Sequence, residues 1–384
     1  MYNITMKCTS DVIIIGGGII GCSIAYRLAQ AGLRVIVVER GQPGCEASTA
    51  AAGMLAPQSE AAHGVLGAFS ELCYASWQLY PDFVQHLQED ASFTVDYRRD
   101  GSLFVAFDYV EAEALAGLVE RQQAAGRPVE ELSPAQLREL EPLLSEHAQV
   151  GVWLPDDHHV DTRLLMNALT VACLRRGVQF ITETPVIGLA SEGARVIGVR
   201  VPGSLLSSAF VVNAAGSWAG LVDPSMMQFP IRPIRGQMVQ LNIQPQPVRH
   251  LLHSTGCYIV PWPDGRLLIG ATVENVGFNK SVTAQGVHQL LSAALKMLPA
   301  LHGATVQGTW AGLRPDTEDN LPILGPAQWQ NVIMATGHFR NGILLAPVTA
   351  QLLTELITTG EASRSLAPYS PQRFLKESTE SASS

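Results

Sequence analysis

The sequence lacks the clustered cysteines that disulfide frameworks and structural zinc sites require. Its six cysteines are scattered along 384 residues, with no CxxC pair and no histidine-rich segment beside them. Both kinds of site need close and regular cysteine spacing. We therefore predict reduced thiols, no bound metal and a cytoplasmic location.

Positive charge is also in short supply. Lys and Arg number 25 against 34 Asp and Glu, which gives a net charge of −9, and no long basic run occurs. Such a chain is a poor ligand for a phosphate backbone, so nucleic acid is excluded as a partner. Charged residues make up 15% and hydrophobic residues 47%, a balance that excludes a disordered chain or a coiled coil. The length predicts about two domains.

Long apolar runs are scarce as well. Residues 12–26, which follow Lys7 and precede the tripeptide Ala29-Gln30-Ala31, imitate a signal peptide or a membrane anchor. No other stretch approaches the ~18 to 20 apolar residues of a membrane span. Several glycines interrupt the run at positions that a nucleotide-binding turn would use. We therefore expect neither a cleaved leader nor a membrane partner.

The first forty residues have the pattern of a β-α-β unit. Residues 11–15 and 33–38 are apolar, β-branched runs typical of buried parallel strands, and residues 20–28 have helical spacing. The motif Gly16-x-Gly18-x-x-Gly21 lies between strand and helix, and Glu39 ends the second strand. The glycines allow a tight turn and a close approach to a pyrophosphate, while the acid accepts hydrogen bonds from a ribose. This predicts a dinucleotide site; a glycine-rich packing turn is the alternative.

A run of small residues indicates which dinucleotide is bound. Residues 48–54, Ser-Thr-Ala-Ala-Ala-Gly-Met, carry no catalytic side chain. Small residues let the backbone lie against a flat ligand, which suits an isoalloxazine ring; a close-packed helix start is the alternative. An NAD enzyme would instead continue its Rossmann sheet directly from such a beginning.

Two later stretches repeat the pattern of a strand followed by a glycine turn. They are residues 210–216 and 331–337, and the second precedes a predicted helix over residues 343–357. Residues 97–107 and 236–273 instead alternate as short strands. The nucleotide-binding domain is therefore predicted to be discontinuous.

The dipeptide Asp264-Gly265 predicts a hairpin within the second alternating stretch. If these two residues form the turn, Tyr258 lies opposite Ala271 and diagonal to Val273. That register would bring all three side chains to one face of the sheet.

Several segments resemble the D-amino-acid-oxidase superfamily of FAD enzymes. They are the opening β-α-β unit and residues 51–57, 213–218 and 312–317, while residues 337–347, GHFRNGILLAP, are similar to its glycine-oxidase branch of the thiamine pathway. The resemblance extends from Asp11 to about Glu361. It implies oxidation of glycine, sarcosine or D-alanine to the imine or 2-oxo acid, with release of ammonia and hydrogen peroxide. It further implies molecular oxygen as acceptor, supply of iminoacetate for thiazole synthesis, and a homotetramer.

The resemblance sets the expected fold and domain division. We predict an α/β protein with a discontinuous, Rossmann-like FAD-binding domain and a second, substrate domain built on a largely antiparallel sheet. The predicted FAD-binding domain comprises residues 1–90, 149–230 and 313–370, the substrate domain residues 91–148 and 231–312, and a disordered tail residues 371–384.

The same resemblance assigns roles to residues. Arg314 matches the anchor of the substrate carboxylate, Tyr258 would donate a hydrogen bond to that carboxylate, and Arg340 would line the site beside the flavin. Arginine suits this role because its planar fork forms two charge-assisted hydrogen bonds. A structural salt bridge of Arg314 with Asp316 or Glu318 is the alternative.

The predicted cofactor contacts come from all three pieces of the FAD-binding domain. They are Gly16, Gly18, Ile19, Ile20, Gly21, Glu39, Arg40, Ser48, Thr49, Ala51, Ala52, Gly53, Met54, Val186, Ala215, Gly216, Trp218, Gly337, His338, Phe339, Arg340, Asn341, Gly342 and Ile343. Val186 matches the position whose backbone meets the adenine. The helix that begins near Gly342 should point its positive end at the flavin. Relatives with covalent flavin use a Cys or His beside the ring, and the matching segments here have none, so non-covalent FAD is predicted.

One residue departs from the pattern of the glycine-oxidase branch, and the other polar candidates have structural interpretations. Gly256 stands where glycine oxidases can carry a histidine. His158 and His159, adjacent on a predicted loop, point apart and do not form a metal pair. Cys45 and Cys257 are expected to be packing residues, and Arg232 and Arg235 to hold carboxylates or carbonyl groups at a domain seam.

Two other functions remain open at this point. A flavin dehydrogenase that passes electrons to a quinone shares these motifs, as in a D-amino-acid dehydrogenase or a hydrogen-cyanide-synthase subunit. An FAD-binding structural subunit without turnover is the third possibility.

Overall fold

Three sheets organise the computed structural model, which describes residues 10–62, 67–246 and 248–375. The strands in these ranges are β1 Ser10–Ile15, β2 Val35–Val38, β3 Met54–Leu55, β4 Tyr97–Arg98, β5 Ser102–Ala106, β6 Glu130–Leu132, β7 Val150–Leu154, β8 His158–Val160, β9 Gln179–Ile181, β10 Gly188–Glu192, β11 Arg195–Val201, β12 Ser204–Asn213, β13 Arg232–Asn242, β14 Leu251–Ser254, β15 Cys257–Pro261, β16 Arg266–Gly270, β17 Thr305–Asp316, β18 Ile323–Pro326 and β19 Val332–Thr336. The α-helices are α1 Ile19–Gln30, α2 Ala47–Ala50, α3 Pro57–Ala62, α4 Ala68–Ala91, α5 Tyr109–Ala124, α6 Pro134–Leu140, α7 Thr162–Arg175, α8 Ala284–Met297 and α9 Gly342–Thr359.

The first sheet joins three distant pieces of the chain. Strands β9, β2, β1, β12 and β19 run parallel in that order, and β18 closes one edge as an antiparallel strand. Alternate residues of β1 face opposite sides: Val12 and Ile14 pack with α1, α4, α7 and α9, and Ile13 and Ile15 pack toward β10 and β11. The predicted discontinuous Rossmann-like domain is confirmed.

The second sheet is largely antiparallel, as predicted. Its strand order is β17-β13-β16-β15-β14-β5-β7-β6, and the β14–β5 pair is the parallel exception. Its inner face, including Ile259 and Ile269, packs against α8. Strands β13 and β17 pair along almost their whole length, from Arg232 opposite Asp316 to Asn242 opposite Thr305. A three-stranded sheet, β3-β8-β4, lies beside the two large ones.

Strand pairing moves the predicted domain boundaries. The boundary at 148/149 precedes β7, yet β7 pairs with β5 and β6 in the second sheet. The boundary at 312/313 cuts β17, which is continuous through Asp316. We therefore propose that the substrate domain extends through Leu154 and through Asp316.

The predicted hairpin register was wrong by one residue. Tyr258 lies opposite Gly270, not Ala271. The Trp262 amide donates to the carbonyl oxygen of Arg266, so the loop contains three residues, and Gly265 occupies its left-handed position at φ 88°. Such three-residue loops commonly end in a left-handed residue.

The predicted tail was wrong over its first five residues. Pro371–Phe374 forms a short 3₁₀ helix, and the Arg373 Nε atom lies 2.7 Å from a carboxylate oxygen of Asp319. The prediction for residues 376–384 lies outside the described residues.

The sequence predicted one membrane candidate, residues 12–26, and the expectation that no other stretch approaches the length of a span was wrong. The run over residues 12–26 forms most of β1 and the first part of α1. In the described residues, α9 is long and apolar enough to cross a membrane by length and composition. It is mostly buried and packs against α1 and α4 in the core.

Candidate active site

A cleft of about 880 Å³ is lined by both domains. The first sheet contributes Ile15 and Val38, helix α9 contributes Ile343, and the second sheet contributes Met238, Tyr258 and Arg314. The carboxyl ends of parallel strands β1 and β2 meet this cleft, which is where open α/β sheets bind their ligands.

The glycine turn lies at the start of α1, as predicted. The helix begins at Ile19 behind Gly18, which offers no capping side chain, and the Ile19 amide donates a 2.9 Å hydrogen bond to Ser48 Oγ. A Cβ atom at Gly21 would overlap the carbonyl oxygen of Gly16. The third glycine therefore lets the helix approach the turn closely, and the helix N-terminus faces the cleft.

The Glu39 carboxylate is held in place by two backbone amides. Its Oε2 atom accepts from Gly17 N at 2.7 Å, and its Oε1 atom accepts from Gly41 N at 2.8 Å. The side chain is buried, and the residue lines the cleft. The carboxylate therefore has a fixed orientation.

The cleft near Glu39 is also lined by Arg40, Glu46, Val186 and Trp218. The guanidinium carbon of Arg40 lies 3.5 Å from the centroid of the Trp218 ring, a cation–π contact. The Arg40 Nη2 atom also donates to Glu46 Oε1 at 2.6 Å. Glu46 has no counterpart among the predicted residues.

Most of the predicted cofactor residues line the cleft, and four do not. Gly21 packs behind the turn, and Thr49 donates its hydroxyl to the carbonyl oxygen of Gly44 at 2.8 Å. Gly337 packs near Thr317, and Asn341 donates to Glu60 at 3.0 Å. The remaining predicted cofactor residues are in the lining.

Arg314 lies across the strand surface, in the part of the cleft that Tyr258 and Arg340 also line. A Cβ atom at Gly236, on the neighbouring strand, would overlap its guanidinium group. The Arg314 Nη1 atom donates to the carbonyl oxygen of Thr272 at 3.0 Å. Sequence reasoning missed Gly236 and Thr272, because only the pairing of β13 with β17 brings them beside Arg314.

The charge of Arg314 is left for a ligand. In the part of the chain that the structure describes, no carboxylate lies within 4.0 Å of this guanidinium, and Asp316 instead pairs with Arg232 at 2.7 Å. The salt bridge to Asp316 that the sequence left open therefore does not form. Burial lowers the pKa of Arg314, as expected for a cation removed from water without an anionic partner.

Tyr258 shares this part of the cleft. Its hydroxyl lies 3.5 Å from Met238 Sδ. Burial raises the pKa of Tyr258, and the nearby positive charges of Arg314 and Arg340 oppose the rise. The phenol therefore stays protonated at neutral pH and can donate a hydrogen bond.

The positive charge of Arg340 is paired with a carboxylate, in contrast to that of Arg314. Its Nε atom lies 3.5 Å from Glu60 Oε1, and the other Glu60 oxygen accepts from Asn341. Glu60 is buried, so this carboxylate fixes both residues at the start of α9.

Two hydroxyl groups of α4 hold the start of α9. Pro347 has no N–H, so the carbonyl oxygen of Ile343 has no helical donor, and Tyr80 donates to it at 2.8 Å. Ser76 donates to the carbonyl oxygen of Leu344 at 2.6 Å and accepts from the Val348 amide. Gly342 and Ile343, the first residues of α9, line the cleft.

The other candidates have structural contacts. His158 and His159 lie on strand β8, not on a loop, so successive side chains point to opposite faces. His158 contacts the Tyr97 hydroxyl at 2.8 Å, and His159 contacts the carbonyl oxygen of Pro261 at 3.1 Å. Burial lowers the pKa of both to about 4.

The predicted partners of Arg232 and Arg235 are present. Arg235 pairs with Glu274 and donates to the carbonyl oxygen of Ser281 at 2.9 Å. Cys257 is buried, as expected of a packing residue, whereas Cys45 is exposed, so the expected packing role of Cys45 is wrong. Gly256 lines the cleft at φ 96°.

The glycine turn, the oriented acid and the cleft define a dinucleotide-dependent oxidoreductase. The residues present fit FAD, because the N-terminus of α1 and the carboxylate of Glu39 line a cleft that Arg314 also lines. The model of the DAO family, described as FAD dependent oxidoreductase, matches residues 11–356. The chain belongs to this family of FAD-dependent oxidoreductases.

Individual relatives are similar in sequence to this protein over nearly the whole of its chain. The bifunctional protein ThiO/ThiG of Synechocystis sp. is 38% identical over 96% of this chain and 55% of its own length. The chain therefore spans about half of that relative. The glycine oxidase of Geobacillus kaustophilus is 34% identical over 95% of this chain and 97% of that protein. The crystal structure of glycine oxidase from the same organism superposes with a TM-score of 0.90 at 33% identity, covering 95% and 98% of the two chains.

Proposed function

We propose that this chain is an amino-acid oxidase that converts glycine and other small amines or D-amino acids, such as sarcosine and D-alanine, to the imine. Water then gives the 2-oxo acid with ammonia, or with methylamine when the substrate is sarcosine, and oxygen becomes hydrogen peroxide. The observation that carries the proposal is the half-buried side chain of Arg314, whose guanidinium lies in the cleft with no carboxylate of the described residues within 4.0 Å.

Arg314 binds the substrate carboxylate in this proposal. Its planar group forms two charge-assisted hydrogen bonds, and the contact with Thr272 fixes its orientation. Tyr258 donates a further hydrogen bond to the same carboxylate. Together they aim the Cα–H bond, which is the main contribution that positioning makes to such a step.

The substrate amine reacts as the free base in this proposal, because its lone pair supports the removal of hydride from Cα. Bound FAD supplies the hydride acceptor for the Cα hydrogen and returns the electrons to oxygen. No side chain then has to remove the Cα hydrogen as a proton.

The pathway and the assembly are proposed on similarity alone. We propose that the imine of glycine supplies thiazole synthesis for thiamine, because a similar protein carries the name ThiO/ThiG. We also propose a homotetramer in the cytoplasm. Sedimentation of the purified protein at several concentrations tests the assembly, and a monomer at all of them contradicts it.

Anaerobic mixing tests the reaction. The yellow holoprotein is mixed with glycine, sarcosine, D-alanine and an amine that lacks a carboxylate, and the flavin absorbance is followed. We expect the three amino acids to bleach the flavin and the amine to leave it yellow. Air should then restore the colour, with one hydrogen peroxide formed for each amino acid oxidised.

Each other function gives a different result. Bleaching by amino acids with slow recovery in air, little peroxide and fast recovery with a quinone would identify a dehydrogenase. Flavin that none of the amino acids bleaches would identify a subunit without turnover.

A further inference from the structure

A surface segment of the substrate domain lies over the cleft and contacts the FAD-binding domain. Residues 271–283, here called the latch segment, join β16 to α8. Most of the segment is exposed, including Phe278 at 44%. It belongs to the substrate domain by its two ends, since both continue into elements of that domain.

One buried residue ties both ends of the latch segment. Arg235, which is 4% exposed, pairs with Glu274 near one end and donates to the carbonyl oxygen of Ser281 near the other. Gln237 binds the same two ends, since its Nε2 atom donates to Glu274 at 2.7 Å and its Oε1 atom accepts from the Thr283 amide at 2.8 Å. The middle of the segment therefore projects from a fixed base.

The middle of the latch segment contacts the FAD-binding domain at two points. The Phe278 ring lies 5.3 Å from the Trp218 ring, centroid to centroid, with a 33° angle between the planes. The Lys280 Nζ atom lies 2.7 Å from Glu46 Oε2. Both contacts join residues more than fifty positions apart in sequence.

These contacts link five side chains in a continuous series. Lys280 binds Glu46, Glu46 binds Arg40, Arg40 lies over Trp218, and Trp218 contacts Phe278. Three members, Arg40, Glu46 and Trp218, line the cleft, and the other two come from the substrate domain. The side chains that line this end of the cleft are therefore supported from the opposite domain.

We propose that Phe278 and Lys280 retain the cofactor by holding Arg40 and Trp218 against the adenosine end of FAD. This rests on the predicted cofactor contacts of those two residues. Both latch side chains are partly exposed, at 44% for the Phe278 residue and 43% for the Lys280 side chain, so the segment can leave without disrupting the core. FAD release then follows opening of the latch.

The test measures FAD release from the holoprotein. Phe278→Ala, Lys280→Gln and the double variant are diluted, and the rise in fluorescence of free FAD gives the release rate. Tyr109→Ala and Lys296→Gln serve as matched controls, because each removes an exposed aromatic or an exposed lysine of the same domain. The unfolding temperature of each apoprotein reports a merely structural effect.

We expect Phe278→Ala to speed release about twofold to tenfold, the range for losing an aromatic pair. Lys280→Gln should speed it about twofold to fivefold, as for a partly exposed ion pair. The double variant should release FAD faster than either single variant, and the controls should match the wild type. Added salt should speed release from the wild type more than from Lys280→Gln, because salt screens the Lys280–Glu46 pair.

Glu39→Gln separates failure of the latch from failure of the cofactor assignment. If the double variant releases FAD at the wild-type rate while Glu39→Gln releases it faster, the latch is wrong and the cofactor assignment stands. If neither changes the rate, the predicted contacts are misplaced and the latch falls with them. A lower unfolding temperature of the double-variant apoprotein, together with faster FAD release, would also overturn the latch. Both effects would then come from general destabilisation.

Discussion

The backbone amide of Gly17 donates a 2.7 Å hydrogen bond to the carboxylate of Glu39, which joins the glycine turn to the end of β2. Gly41 donates to the other carboxylate oxygen. Two backbone donors thus orient the acid before any ligand binds. The ribose can use the remaining lone pairs of both oxygens, since an ionised carboxylate accepts about four hydrogen bonds.

Glu39→Ala should therefore weaken FAD binding. A hydrogen bond to a charged group contributes ~1.5–3 kcal/mol, so loss of one such bond lowers affinity at least about tenfold. Titration of the apoprotein with FAD measures this. Asp11→Asn, which alters an exposed ion pair with Arg34 in the same domain, is the control and should bind FAD normally.

The flavin should leave the polypeptide intact. Acid or heat precipitation is expected to give a yellow supernatant and a colourless pellet, because the matching attachment segments contain no Cys or His. Colour that stays with the denatured protein would mean a covalent bond.

Substitutions of the carboxylate anchor should follow a fixed order. Arg314→Ala should weaken glycine binding by ~3–5 kcal/mol, the range for truncating one partner of a buried charge pair, while FAD absorbance stays normal. Arg314→Lys should recover part of the loss, since an ammonium cannot form the two-pronged contact. Tyr258→Phe should cost ~1 kcal/mol, because the anion keeps its arginine.

Apparent affinities for glycine and for an amine without a carboxylate decide this order. The amine should bind poorly to the wild type and respond little to Arg314→Ala. If Arg314→Ala binds glycine normally, the carboxylate lies elsewhere and Arg340 becomes the next residue to replace.

The start of α9 should favour negative charge on the bound flavin. Gly342 and Ile343 line the cleft, and the free N–H groups at a helix N-terminus stabilise anions. We expect sulfite to bleach the holoprotein at neutral pH, measured as loss of visible absorbance. No reaction at millimolar sulfite would place the positive end of α9 away from the flavin.

Stability should fall on mild acidification. Burial lowers the pKa of His159 to about 4, so the unfolded chain binds its proton near pH 6.5 and the folded protein binds it only near pH 4. The free energy of unfolding therefore decreases as the pH falls through this window, by about 3 kcal/mol for this residue. His159→Gln keeps a donor for the carbonyl oxygen of Pro261 and should reduce the pH dependence, as measured by urea unfolding. His302→Gln, on the surface, is the control. If the free energy of unfolding depends on pH in the same way in His159→Gln and in the wild type, His159 is not the source of the pH dependence.

Local patterns in the sequence were enough for the parts of the site that are close in the chain. The turn at Gly16, the acid at Glu39 and the helix after Gly342 each follow from a short motif, and the structure places all three at one cleft. The contacts of Glu39 and of the first turn of α1 join residues within a few tens of positions. The start of α9 is instead held by distant side chains of α3 and α4, which no local motif indicates.

The register between strands that are far apart in the sequence could not be predicted from local patterns. Gly236 supports Arg314 because β13 and β17 pair with Gly236 opposite Gly312 and Ile234 opposite Arg314. No motif encodes that alignment across more than seventy residues. The hairpin error at Tyr258 has a similar origin, since two-residue and three-residue loops both accept Asp-Gly.

The order of the pieces in the first sheet affects how the protein is made. Strand β19 completes the sheet beside β12, and the cleft includes residues from Ile15 to Ile343. A nascent chain therefore has no complete FAD site until most of it has left the ribosome. The early β-α-β unit must wait, with one edge of β1 unpaired, for β12, which is translated about two hundred residues later, and β12 must wait for β19 more than a hundred residues after that. Cofactor loading is consequently a late event in biosynthesis, and a prematurely terminated chain cannot be rescued by added FAD.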